Sequence, residues 1–244
     1  EISLGLVGSE MCIRDRFIIQ SLVQSSNIFL AIFAVLMAVI GSYYYLRVIK
    51  VMYFDSIDNK LKIISGKYKS RIITIPNKSN LKPTKAFIRE SLFNIVNLKI
   101  CDTSLDLFSG SGILSLEALS RGIKKATLVE QDLDLVKSIK KNLASLNEAN
   151  AIVINKKVGK FLKDNNPNIF DIIFLDPPYN TNLLDETLSH LKSYEYISHS
   201  KYIYFETSKQ DKNDYLKYLS DTHDVLKDLS IGDVSYTIAI NKNL

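Results

Sequence analysis

Tryptophan is absent from this 244-residue chain, histidine occurs three times, and cysteine stands only at positions 12 and 101. Two cysteines make no disulfide framework, and together with His190, His199 and His223 they show no metal-ligand spacing. No metal is expected, a reducing compartment is the default, and the histidines read as surface or packing residues. With 46% hydrophobic and 23% charged residues, 9 Gly and 5 Pro, the composition excludes a fibrous or disordered chain. No internal repeat or low-complexity tract is present.

The first 60 residues carry no charge excess, because five basic side chains face five acidic ones. The net charge of +5 therefore sits wholly in residues 61–244. A basic domain of this kind has nucleic acid among its partner classes; a merely solvated basic surface is the alternative.

Charge is missing altogether between Phe17 and Leu46. The stretch IFLAIFAVLMAVIGSYYYL (28–46) approaches the ~20 residues that span a bilayer as a helix. Tyr43, Tyr44 and Tyr45 would form an interfacial belt, and Arg47 and Lys50 a positive flank that places the following chain in the cytoplasm. A buried core helix is the alternative. Residues 38–55, AVIGSYYYLRVIKVMYFD, resemble the last transmembrane helix of the antiporter-like N subunit of NADH-quinone oxidoreductase. Only that helix is matched, so no transport function is implied. The opening EISLGLVGSEMCIRDR (1–16) has no initiator Met and resembles translated sequencing-adapter read-through. Residues 1–16 are expected to be an artefactual leader, and 17–60 a transmembrane-like helix and linker. A genuine membrane-anchored fusion is the competing expectation.

From residue 61 the pattern changes. LKIISGKYKSRIITIP reads as two β-type runs around a basic turn, a hairpin over 61–80. Its Lys67, Lys69 and Arg71 suit RNA phosphate, with edge-strand lysines that block aggregation as the alternative. NLKPTKAFIRESLFNIV (80–96) has apolar residues at helical spacing after a Pro-Thr start. Strands at 103–108, 125–130, 151–154, 170–176 and 201–206 then alternate with amphipathic helices, and two β-type runs about Gly232 close the chain. Repeated β-α units predict a mostly parallel sheet covered on both faces.

Three positions in that frame carry chemistry. SGSG (109–112) after the first strand supplies a turn whose Gly110 and Gly112 offer no Cβ to a ligand at the strand ends. No lysine follows, so it is not a P-loop, and the third glycine of a dinucleotide site is missing. Glu130 ends the second strand, where a carboxylate can accept both ribose hydroxyls; a helix-capping acid is the alternative. Asp106, inside the first strand, is costly to bury without a partner, and suits a positive group such as the amino-acid end of S-adenosylmethionine. DPPY (176–179) ends the fourth strand. The Asp176 carboxylate and the carbonyl of Pro177, whose φ is fixed, can accept from an exocyclic amine, and Tyr179 can stack on its base. A strand followed by a proline turn is the ordinary alternative.

With LDLFSGSG, Glu130 and DPPY in this order, residues 61–244 resemble an RsmD-type methyltransferase, supported by IISGKYKSR, LKPT, RESLFN, LEALSRG, IYFE and GDVSY. DPPY alone also serves DNA amine and glutamine methylation. The resemblance implies a Rossmann-like class I α/β methyltransferase over 81–244, with the basic hairpin as an N-terminal extension. It implies methyl transfer from S-adenosylmethionine to the exocyclic N2 of a guanine in 16S ribosomal RNA, free or in a small-subunit assembly particle, by a monomer. Asp106, Phe108, Gly110, Ser111 and Gly112 should then line the methionine end of the donor, Glu130 its ribose and Val158 its adenine. Asp176, Pro177, Pro178 and Tyr179 should form the base pocket. Thr84, Arg89 and Glu90 should border these sites, and Lys67, Lys69, Arg71 and Arg89 should touch RNA. Ser109 replaces a frequent alanine.

Overall fold

The computed structural model describes residues 28–53, 60–77, 83–164, 169–179, 181–209 and 215–244. The chain divides into two units, residues 1–58 and 59–244. The first contains one described helix, α1 (Ile28–Tyr53). Its continuous apolar stretch, 28–40, is 13 residues long before Gly41, Ser42 and three tyrosines intervene, whereas a bilayer needs ~20. Among the described residues no helix is long and apolar enough to cross a membrane. The expected transmembrane segment, and the membrane anchor with it, is therefore not supported. The leader expectation for 1–16 falls outside the described residues, as do residues 17–27.

The second unit begins with β1 (Lys60–Lys62) and β2 (Ile72–Thr74), an antiparallel pair with Leu61 opposite Ile73. There follow α2 (Ala86–Ile95), β3 (Thr103–Asp106), α3 (Ile113–Ser120), β4 (Lys125–Glu130), α4 (Leu133–Ser145), β5 (Ala151–Asn155) and α5 (Val158–Asp164). The chain continues through β6 (Ile172–Leu175), α6 (Leu183–Ser193), the short α7 (Tyr196–His199), β7 (Tyr202–Ser208), β8 (His223–Ile231) and β9 (Val234–Asn241). The seven strands β3 to β9 form one sheet in the order β5-β4-β3-β6-β7-β9-β8. β3 to β7 pair in parallel, and β9 runs antiparallel to both its neighbours. The closing hairpin turns at Gly232, φ +64°. Successive units step from β3 toward β5, then from β6 outward on the other side. That reversal leaves a crevice at the carboxyl ends of β3 and β6, where ligands of open α/β sheets bind.

Period-2 alternation buries both faces of the sheet. Ile172 and Phe174 of β6 join Tyr202 and Tyr204 of β7 in one cluster. Ile173 and Leu175 join Ile203 and Phe205 in the cluster on the opposite face. The central strands therefore read as unbroken apolar runs.

All eight residues of α3 are buried, which its sequence ILSLEALS, with no continuous polar face, requires. A third cluster explains how: Ile63 and Ile73 of the hairpin cover Ile113, Leu116 and Leu119. Polar contacts fix the lid. The Lys67 amide donates to the Ser120 carbonyl at 2.7 Å. This close approach needs Gly66, at φ +84°, because a Cβ there would lie 1.9 Å from that oxygen. The Asn142 side chain of α4 accepts from the Thr74 amide at 3.1 Å and donates to the Thr74 carbonyl at 2.8 Å, continuing the strand's hydrogen bonding onto a helix.

Candidate active site

A cleft of about 1370 Å³ opens at the crevice and is lined by Asp106, Phe108, Gly110, Ser111, Glu130, Val158, Thr84 and Asp176 to Tyr179, among others. Most of the residues expected around a donor and a base thus meet in one cavity. Its floor is the turn after β3. Gly110 and Gly112 adopt φ +50° and +76°, a left-handed backbone open to glycine. A Cβ on Gly112 would press on Ile139 at 3.2 Å. The Gly112 amide closes the turn onto the Ser109 carbonyl at 2.6 Å. Ser109 adds hydroxyl bonds to the Asp106 and Val129 carbonyls, so the departure from alanine reinforces the turn. The Ser111 hydroxyl accepts from the Ile113 amide at the start of α3.

Glu130, on the strand beside β3, accepts from the Gly110 amide at 2.9 Å and the Asp132 amide at 2.8 Å. It therefore pins the glycine turn, a role the ribose expectation did not contain. Each oxygen keeps a lone pair for a further donor.

Asp106 ends β3 and is 1% exposed. Ser115 of α3 donates to its Oδ2 at 2.9 Å, while its Oδ1 is buried without any hydrogen-bond partner. Burial pushes its carboxyl up to about 7, with the Glu130 charge adding to the rise and the Ser115 bond opposing it. An orphaned carboxylate oxygen on a glycine floor fits a cationic ammonium, so these residues suit the methionine end of S-adenosylmethionine.

On the β6 side, Asp176 accepts from the Thr84 hydroxyl at 3.1 Å. Burial, and after it the Glu206 charge, holds its carboxyl well above the ordinary carboxylate range. Thr84 is itself buried, and this bond ties it to the Asp176 corner of the cleft. The Tyr179 hydroxyl donates to Glu206 at 3.1 Å. Glu206 escaped the sequence reading as a site residue, although it closes the apolar run YIYF as Glu130 closes ATLV, and that shared pattern was the available signal.

The expectations outside the cleft divide. Lys69 and Arg71 are exposed on the hairpin turn. Lys67 is half-exposed and pairs with Glu148 at 2.7 Å, beside Tyr68, which donates to the same carboxylate oxygen. Arg89 corrects the RNA expectation: it is 3% exposed and pairs with the buried Glu117 at 2.9 Å. Glu117 also accepts from the Ile64 amide at 2.7 Å, so Arg89 ties hairpin to helices and presents nothing to RNA. Glu90 is exposed. Among the histidines, His223 is buried against Ser200 and Thr222, His199 is exposed, and His190 borders the cleft. No group of residues able to hold a metal occurs among the described residues.

Sheet order and cleft position together define a class I methyltransferase fold. It is similar to the solved structure of an Escherichia coli protein assigned as a methyltransferase, yhhF, with TM-score 0.65 and 33% identity over 75% of this chain and 98% of that one. Residues 61–239 match the family described as Conserved hypothetical protein 95. Ribosomal RNA small subunit methyltransferase D of Haemophilus influenzae is 36% identical over 75% of this chain and 94% of its own length. The protein of the same name from Buchnera aphidicola (Baizongia pistaciae) is 42% identical over 64% and 81%. The chain belongs to this RsmD family. A 50-residue segment is also 48% identical to NADH-quinone oxidoreductase subunit N of Herminiimonas arsenicoxydans, but spans only 10% of that protein, too little to carry a function.

Proposed function

We propose that this protein transfers a methyl group from S-adenosylmethionine to the exocyclic N2 of a guanine in 16S ribosomal RNA. The observation that carries the reading is the pairing, in one cleft, of the orphaned Asp106 oxygen with the Asp176 corner two residues beyond the neighbouring strand's Phe174. The names of the RsmD relatives, which refer to small-subunit ribosomal RNA, support the substrate class. S-adenosylmethionine supplies a methyl group on a sulfonium, already a strong donor.

The chain's own residues position and deprotonate. Asp106 holds the donor's ammonium, the glycine turn admits its backbone, and Glu130 braces that turn while its remaining lone pairs meet the ribose. The base must leave its stack to enter, and Tyr179 offers it a new face. An exocyclic amine is a poor nucleophile because its lone pair is delocalised into the ring. The Asp176 carboxylate and the Pro177 carbonyl accept its two N–H groups and draw the nitrogen toward tetrahedral geometry. The nitrogen lone pair forms the N–C bond, the S–C electron pair stays on sulfur, and the N–H proton passes to Asp176. Orientation contributes most of the acceleration.

The test is incubation of the full chain with methyl-labelled S-adenosylmethionine and unmodified small-subunit particles, naked 16S RNA or DNA, followed by mapping of the label. Label at N2 of one guanine is expected; label on DNA amines alone would overturn the RNA assignment.

A further inference from the structure

A second carboxylate stands behind the Asp-Pro-Pro-Tyr corner. Glu206 of β7 is 2% exposed. It accepts from the Tyr204 hydroxyl at 2.6 Å through one oxygen and from the Tyr179 hydroxyl at 3.1 Å through the other. Strand register explains its place. Leu175 pairs with Phe205 in parallel, so Asp176 and Glu206 are the next residues on adjacent chains, which run ~4.8 Å apart. A buried carboxylate is costly unless it is paired, and among the described residues no cation pairs with this one.

We propose that Glu206 is a positioning residue of the transfer site, anchoring the Tyr179 ring through its hydroxyl and acting on the Asp176 carboxyl from the neighbouring strand. This rests on the transfer reading above. Two buried carboxylates side by side cannot both ionise cheaply. Burial raises Glu206, against the hydroxyls of Tyr204 and Tyr179, which donate to it and favour its charged form. Asp176, with one hydroxyl partner, is raised by burial and by Glu206. Two hydroxyl donors on Glu206 against one on Asp176 favour leaving the last proton of the pair on Asp176. The other titratable groups facing the pair are Tyr179, Tyr204 and, from β3, Asp106. Tyr236 of β9 lies opposite Glu206, and its hydroxyl bonds to Ser91, which also accepts from Lys227.

Glu206 thus sets when Asp176 can accept an amine proton. The first measurement is a pH titration of the full chain carrying 13C-labelled carboxyls, with the Asp176 signal identified by its loss in Asp176→Asn. In Glu206→Gln the Asp176 midpoint is expected to fall by about one pH unit or more. In Tyr204→Phe, a variant that keeps the carboxylate should Gln perturb folding, loss of one hydroxyl should raise the first macroscopic midpoint of the pair. An unchanged Asp176 midpoint in Glu206→Gln, or an unchanged pair midpoint in Tyr204→Phe, overturns the proposal. The second measurement is the pH dependence of kcat/KM for RNA methylation, whose acid limb should move down with the Asp176 midpoint in Glu206→Gln. An unmoved limb removes the role in transfer. A parent chain that methylates no RNA while its carboxyl titration still shifts sinks the transfer reading and leaves the Glu206–Asp176 coupling intact.

Discussion

Ser115 donates its hydroxyl to one oxygen of Asp106 at 2.9 Å and leaves the other buried and unpartnered. The serine fixes the carboxyl's orientation, and the second oxygen is the one that the proposed donor ammonium would satisfy. Asp106→Asn should weaken S-adenosylmethionine binding by roughly 10- to 100-fold, the scale of one hydrogen bond to a charged group. Isothermal titration checks it. Because the free carboxyl titrates at about 7, affinity of the parent protein should rise with pH through that value and then level off.

The same group predicts an opposite trend in stability. Its folded value, about 7, lies above its ordinary 3.8, so the folded state binds the extra proton between those values. Stability is full below pH ~4 and falls as pH rises toward 7. Asp106→Asn should therefore raise the melting temperature at pH 8 and lose that advantage near pH 4, as calorimetry at the two values would show.

Asp176→Ala should lower methyl transfer by about 10²- to 10⁴-fold, the range for a lost positioned proton acceptor. Donor affinity should change little, because the proposed role of Asp176 is toward the base amine rather than the donor. Single-turnover rates beside titration calorimetry separate the two effects.

Arg89→Ala leaves Glu117 buried with its strongest partner gone. A loss of about 3–5 kcal/mol in unfolding free energy is expected, with early hydrogen exchange at the Ile64 amide that Glu117 accepts. If instead stability holds and only RNA affinity falls, the placement of Arg89 is wrong.

Replacing Lys69 and Arg71, both exposed on the hairpin turn, by alanine should weaken RNA binding without shifting the melting temperature. The salt dependence of binding should flatten by about one unit of slope per lost phosphate contact. An unchanged slope would confine the hairpin to a structural part.

What sequence could and could not reveal divides along physical lines. The strand at 170–176 was legible because its apolar run ends on a carboxylate and two prolines, and the sheet places it beside β3 as the turn chemistry requires. The glycine turn was legible because only glycine serves such an approach. Arg89 was misread because a charge on an amphipathic helix looks like a surface residue until Glu117, 28 positions away, closes over it. Glu206 was missed for a related reason: Tyr179, 27 positions away, reaches it only through the fold. The membrane expectation rested on the apolar run 28–46, its tyrosine belt and basic flank, and among the described residues no helix is long and apolar enough to cross a membrane.

The clasp between Asn142 and Thr74 bears on how a truncation would be interpreted. By holding β2 to α4, it keeps the hairpin over Leu116 and Leu119, on the helix that follows the glycine turn. The basic arm is consequently no detachable reading head. Cutting it away would wet a helix that has no polar side, so lost activity in such a fragment would report a collapsed cleft as readily as a lost contact made by the arm itself.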